Sequence, residues 1–239
     1  HRDLHSFPYT TLFRSGSCAA GETKVRLHRE AAEAKVEEKG DIRTRIQAIL
    51  HAPTEKPVVV APPKMAPVDL TNEAILGKAM ATQQQCVQYL LSVNPAPALS
   101  VSPQELVSYY YEEGAREGIR PDVAFAQALK ETGYFRYGGT VTPDQNNYCG
   151  LGTTSSTVKG VYFSSARLGV RAHIQHLLAY ASTRRPAEPV VDPRYALVRS
   201  IYGNKTLDTW RDLNGRWAVP GHTYGQSIME LFSHIVKAS

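Results

Sequence analysis

Cysteine is scarce in this chain of 239 residues, with three in all, and Cys18, Cys86 and Cys149 are too scattered for a disulfide framework. None has a partner at metal-ligand spacing, so no zinc ribbon or finger is expected. Long apolar runs are also missing. The longest, Val58 to Ala61, ends in prolines, far short of the roughly 20 residues that a membrane span needs. No internal repeat is visible, and no basic helix or stacked aromatic motif argues for nucleic acid. Between Gly133 and Arg167 there is no glutamate, and Asp144 is the single acid. An apolar content of 42% nevertheless suffices for a real core.

Composition divides the chain. Residues 1–15 (HRDLHSFPYTTLFRS) do not begin with Met, have no helical or strand period, and resemble a translated sequencing adapter. They are read as non-native, so a missing signal peptide says nothing about export. Residues 16–52 are read as a charged helical arm, rich in Glu, Lys, Arg and Ala and broken at Gly40. Pro53, Pro57, Pro62, Pro63 and Pro67 mark 53–69 as an extended linker. A compact domain is expected over 70–239, with 16 basic against 13 acidic residues. That excess suits a polymer bearing anionic groups.

The domain reads as mainly helical. Ile75, Ala79, Met80, Cys86, Val87, Leu90 and Leu91 fall on one side of a helix that stops at Asn94 and Pro95. A second helix starts at Ser102, with Pro103 at its first position and Glu105 placed to close a capping box. Its tyrosines, Tyr109, Tyr110 and Tyr111, read as core and rim. Val170, Ile174, Leu177, Leu178 and Ala181 give the buried side of a later helix, with His173 and His176 at the edge of that face in a structural role. The last helix carries Tyr224, Ile228, Leu231, Phe232 and Ile235 on one face. Tyr224 points inward at its start, where the hydroxyl needs a partner.

Glu131 is the residue with chemistry. Pro121 and Asp122 open its helix and Gly133 closes it. Advancing about 100° per residue, Ala124, Ala128 and Glu131 share a narrow arc, which leaves room above the acid for a ligand or another backbone. Partial desolvation and the negative end of the helix dipole both raise a carboxyl pKa, toward the range of a general acid. From Gly138 to Ala166 the helical period is lost, and Gln145, Asn146, Asn147 and Tyr148 offer amides and a phenol beside Gly150 and Gly152. Such groups hydrogen-bond hydroxyl and acetamido substituents, and they equally build an Asn-rich turn.

The runs FAQALKETGYF (125–135), QNNYCGLG (145–152), GVRAHIQHLLAYA (169–181) and GRWAVPGHTYGQSI (215–228), in this order, resemble bacterial glucosaminidases of the lysozyme superfamily. The resemblance covers roughly Ile75 to the C-terminus. It implies a lysozyme-like helical domain with a small irregular or short-hairpin lobe. The implied activity is cleavage of the β-1,4 bond after N-acetylglucosamine in peptidoglycan, without metal or cofactor. By the same resemblance Glu131 is the general acid, Thr132 and Gly133 complete its motif, and Tyr224 faces it across the cleft. Asn147, Tyr148 and Gly150 match the cleft motif, Gln145 and Asn146 join them as substrate contacts, and Trp217 walls a sugar ring. Two routes stay open at this point: Asp144 activates a water as base, or the substrate's 2-acetamido oxygen attacks with Tyr224 and Asn147 steadying the charge. Transglycosylation, muramidase-type cleavage and a non-catalytic wall-binding module are the alternatives. The partner implied is a peptidoglycan strand, the state a monomer, and the location secreted or wall-associated.

Overall fold

The computed structural model describes residues 68–153 and 158–238. The first fifteen residues, the arm expected at 16–52 and all but the last two residues of the expected linker lie outside them. Among the described residues there are six α-helices: α1 (Gln83–Val93), α2 (Pro103–Glu117), α3 (Pro121–Thr132), α4 (Ala166–Ala181), α5 (Tyr195–Tyr202) and α6 (Tyr224–Val236). Two 3-10 turns, Pro143–Gln145 and Trp210–Leu213, complete the set. Extended pairing is confined to isolated bridges such as Ala74 with Thr209 and Leu76 with Ile119. The mainly α architecture agrees with the helical periods of the sequence. Residues 133–153 and 158–165 are irregular apart from the first 3-10 turn, and no hairpin occurs among the described residues.

Helix α1 begins later than its apolar spacing predicts. Thr82 caps it, accepting the Gln85 N–H at 3.1 Å, while the Gln85 side chain accepts the Thr82 N–H at 2.9 Å. Upstream the chain is extended, because Ile75 donates to the Asp208 carbonyl at 2.9 Å and accepts from Arg120 N–H at 3.0 Å. Tertiary pairing thus overrides a helical period at Ile75. Helix α2 starts as expected, with Ser102 accepting the Glu105 N–H at 3.2 Å. Its capping box is not closed, since the Glu105 carboxylate accepts the Tyr109 hydroxyl instead.

Helix α3 is central. Every residue from Pro121 to Leu129 is buried, and the helix packs against α1, α2 and α6. Ala124, Ala126 and Ala128 keep its girth small, so the surrounding helices approach closely. Protein closes over Ala124 and Ala128, which are fully buried, and only the last turn, with Glu131, emerges. Asp122 fixes the other end by accepting backbone N–H groups of Met80 at 2.6 Å and Ala81 at 3.0 Å. Helices α2 and α4 are tied by buried Glu113, whose carboxylate takes Arg171 Nε and Nη2 at 3.0 and 3.1 Å. These contacts anchor the buried end of α3 and the helices around it, and its last turn delivers Glu131.

Candidate active site

The end of α3 is shaped by Thr132 and Gly133. Gly133 takes a left-handed conformation, φ 57°, and donates back to the Leu129 and Lys130 carbonyls. The Thr132 hydroxyl donates to the Ala128 carbonyl at 2.7 Å and accepts the Phe135 N–H at 2.9 Å. Tyr134, Phe135 and Tyr137 are also left-handed, with φ between 57° and 59°. Such backbone is costly without glycine and persists only when neighbours hold it. Thr132 is one of those neighbours, which gives the acid-Thr-Gly pattern a physical meaning. Thr132→Val is expected to lose about 1–2 kcal/mol of stability in chemical denaturation, and Thr132→Ser to recover most of it.

Glu131 lies between two cavities. One, of about 350 Å³, is lined by Glu131, Tyr137, Thr140, Gly150 and Trp217 among others. The second, of about 430 Å³, is lined by Lys130, Glu131, Thr223, Tyr224 and Ser227. Glu131 and Ala218 belong to both linings, and among the described residues Glu131 is the one carboxylate in either. Cavities of this size suit a small ligand or a sugar unit.

The carboxylate opens to solvent through this cleft while protein crowds it on the other sides. Desolvation dominates and raises its pKa above the ordinary 4.5, against hydrogen bonds from Tyr224 and Trp217 and the charge of Lys130, all of which lower it. The Tyr224 hydroxyl donates to Oε1. A β-carbon at Gly150, which has φ +69°, would stand 4.0 Å from Oε2. Tyr224 thus holds Oε1, the Gly150 backbone lies beside Oε2, and Trp217 adds a second donor to the carboxylate. Lys130 lies 5.9 Å from the centre of the Tyr224 ring.

The other residues expected at the site divide sharply. Trp217 is mostly buried against His176 and Tyr180, at ring separations of 4.9 and 5.8 Å, and presents the rest to the first cavity. Gln145, Asn146, Asn147 and Tyr148 are buried and line neither cavity. Gln145 accepts the Thr142 N–H at 2.7 Å and donates to Gly160 at 2.9 Å. Asn146 accepts the Ser100 hydroxyl at 2.5 Å and donates to the Phe163 carbonyl at 3.0 Å. Asn147 donates to Leu151 and Val161 carbonyls and accepts the Leu151 N–H at 3.0 Å. The amide surface read from the sequence is turned inward, where it closes the backbone of the irregular segment and sets Gly150 opposite the acid. Asp144 is exposed on its 3-10 turn and lines neither cavity.

Sequence reasoning missed Tyr137, Gly139, Thr140, Val141 and Thr153 of the first cavity. The Tyr137 hydroxyl and Thr153 Oγ1 are buried without a hydrogen-bond partner among the described residues. It also misplaced His173 and His176, which are buried and not at the edge of α4. His176 Nδ1 bonds Asp192 at 2.9 Å. Among the described residues no group of three His, Cys, Asp or Glu side chains is placed to hold a metal ion.

A family model described as glucosaminidase, mannosyl-glycoprotein endo-β-N-acetylglucosaminidase, matches residues 107–235. The chain belongs to this glucosaminidase family. It is accordingly a glycoside hydrolase, and the matched stretch contains Glu131, Gly150, Trp217 and Tyr224. The glucosaminidase is 35% identical over 144 residues to a Borreliella burgdorferi protein described as uncharacterized, which covers 60% of this chain and 68% of that protein. No solved structure matches it. Among the described residues of the glucosaminidase, no helix is long and apolar enough to cross a membrane.

Proposed function

We propose that this domain hydrolyses the β-1,4 bond after N-acetylglucosamine in peptidoglycan, with Glu131 as general acid and the substrate's 2-acetamido group as internal nucleophile. The observation that carries this reading is the carboxylate shared by two cavities, the one such group in their linings among the described residues, its pKa raised by desolvation and its Oε1 engaged by Tyr224. With Oε1 so held, the transferable proton belongs on Oε2. It passes to the glycosidic oxygen as the C1–O bond breaks and the acetamido oxygen bonds to C1. Water then adds to C1 and gives a proton to the Glu131 carboxylate, and the cyclic intermediate opens to restore the acetamide. One carboxylate serves as acid and then as base. An inverting route needs a second carboxylate roughly 6.5–9.5 Å away across the sugar, and exposed Asp144, outside both linings, speaks against it. Action on peptidoglycan would place the enzyme at the cell wall, where its surplus of basic residues meets anionic polymer.

Digestion of purified peptidoglycan, followed by borohydride reduction and mass spectrometry, tests this reading. Reduced N-acetylglucosamine ends are expected. Anhydro-muramic ends would make the enzyme a transglycosylase, reduced muramic ends a muramidase, and wall binding without products a binding module. Asp144→Asn is expected to leave the rate unchanged. A loss of about tenfold or more, equivalent to about 1.4 kcal/mol of barrier, would return Asp144 to the mechanism as base.

A further inference from the structure

We propose that Gln127, His173 and Tyr110 are positioning residues, a directed hydrogen-bond relay that leaves the Tyr224 hydroxyl no acceptor but Glu131. The proposal rests on Glu131 as the acid. The four links run from the core to the cleft. Tyr110 Oη meets His173 Nδ1 at 2.9 Å, His173 Nε2 meets Gln127 Oε1 at 2.9 Å, Gln127 Nε2 meets Tyr224 Oη at 2.8 Å, and Tyr224 reaches Glu131. Tyr110, Gln127 and His173 are fully buried, and Tyr224 nearly so.

Direction follows from counting protons. His173 is held neutral, its pKa pushed down to about 3 by burial and then by the charge of His176. A neutral imidazole has one donor and one acceptor. The Tyr110 hydroxyl has no other hydrogen-bond partner among the described residues, so its proton goes to Nδ1. Nε2 then carries the imidazole proton, and Gln127 must present its carbonyl to it. The Gln127 amide N–H is thereby turned toward the Tyr224 oxygen, and the Tyr224 proton toward Glu131. Were the Gln127 amide reversed, its carbonyl would compete with Glu131 for that proton. The alignment also strengthens Tyr224 as a donor, because accepting from Gln127 makes the phenol more acidic. A stronger donor stabilises the ionised carboxylate that forms when Glu131 releases its proton.

Other groups also face the Glu131 carboxylate. Lys130 from α3, Trp217 from the turn before α6, and Cys149 from the irregular segment all act on or feel the Glu131 charge. Trp217 also packs on His173, with ring centres 5.8 Å apart.

Two variants of the whole chain test the relay. Gln127→Met removes the donor to Tyr224 while keeping the volume, and Tyr110→Phe removes the root while keeping the ring. The Glu131 carboxyl is followed by carbon NMR as a function of pH, alongside the pH profile of kcat/KM. Gln127→Met is expected to raise the Glu131 titration and the alkaline limb by roughly one pH unit, tenfold in the proton equilibrium, and to lower kcat several-fold with KM little changed. Tyr110→Phe is expected to move both in the same direction by less. Folded Gln127→Met with an unmoved Glu131 titration would overturn the relay, because a merely structural role lowers stability and rate without shifting that curve. A shift in Gln127→Met alone would remove Tyr110 from it. Glu131→Gln separates the underlying reading: if it keeps its activity, Glu131 is not the acid, whatever the titrations show.

Discussion

Glu131→Gln is expected to lower the rate of peptidoglycan hydrolysis by about a hundredfold to ten-thousandfold, and at neutral pH to raise the melting temperature. Both effects come from one carboxyl. The rate falls because glutamine cannot give a proton to the leaving oxygen, and among the described residues Glu131 is the one carboxylate lining either cavity. Stability rises because the folded protein disfavours the ionised acid, its pKa being above 4.5 chiefly through desolvation. The sign follows from proton binding. Between 4.5 and the raised folded value, the folded state binds more protons than the unfolded, so the contribution of Glu131 is fully present below 4.5 and is lost as pH rises through the folded value. The parent and Glu131→Gln should therefore converge in stability in mild acid and separate toward neutral pH. The same pKa sets the alkaline limb of the parent's activity, since only the protonated acid begins the reaction. Thermal melts across the pH range, beside rates on peptidoglycan, check both statements. Equal rates would remove Glu131 from the chemistry, and a parent more stable than the variant at neutral pH would contradict the desolvation argument.

What the sequence revealed of this site follows the range of the interactions involved. Glu131, Thr132 and Gly133 were legible because a helix terminus is a local event, written in Pro121 at one end and Gly133 at the other. Tyr224 was legible for a related reason, since a tyrosine leading an apolar helical face must find a partner inside. Gln145, Asn146 and Asn147 were not, because an irregular segment has no period that tells inward from outward. Their direction is set by partners far along the chain, among them Gly160, Val161 and Ser100. Ile75 failed in the opposite way, its helical spacing overruled by pairing with Asp208 and Arg120. The Tyr137 wall carries no periodic signature, and its left-handed backbone appears only once the chain is folded. His173 could have been placed inside, three residues after Val170 and four before Leu177. Its bond to Gln127 could not, because nothing in either segment alone says that α3 and α4 meet there.

Gly169→Ala is expected to be strongly destabilising, although alanine is the better helix former by about 1 kcal/mol. Gly169 sits in the first turns of α4, where a β-carbon would overlap the Asn146 carbonyl and lie 3.2 Å from Tyr148 Cε2. Neither neighbour can give way easily. Asn146 is fixed by Ser100 and Phe163, and Tyr148 packs edge-on against Phe135 at 5.9 Å. Overpacking costs about 1–3 kcal/mol in a well-filled core, and here the clash is with backbone, so it outweighs the helical gain. Relief requires moving the Asn146–Tyr148 segment away from α4, which shifts Gly150 from its place beside Glu131 Oε2. Activity should therefore fall further than stability alone explains, measured at a temperature where the variant is still folded. Gly139→Ala provides the comparison for stability, since a β-carbon there meets nothing within 4 Å. If Gly169→Ala melts with the parent, the close approach of α4 to the Asn-rich turn is wrong. If it melts early but keeps its full rate while folded, the turn supports the fold without setting the geometry of the acid.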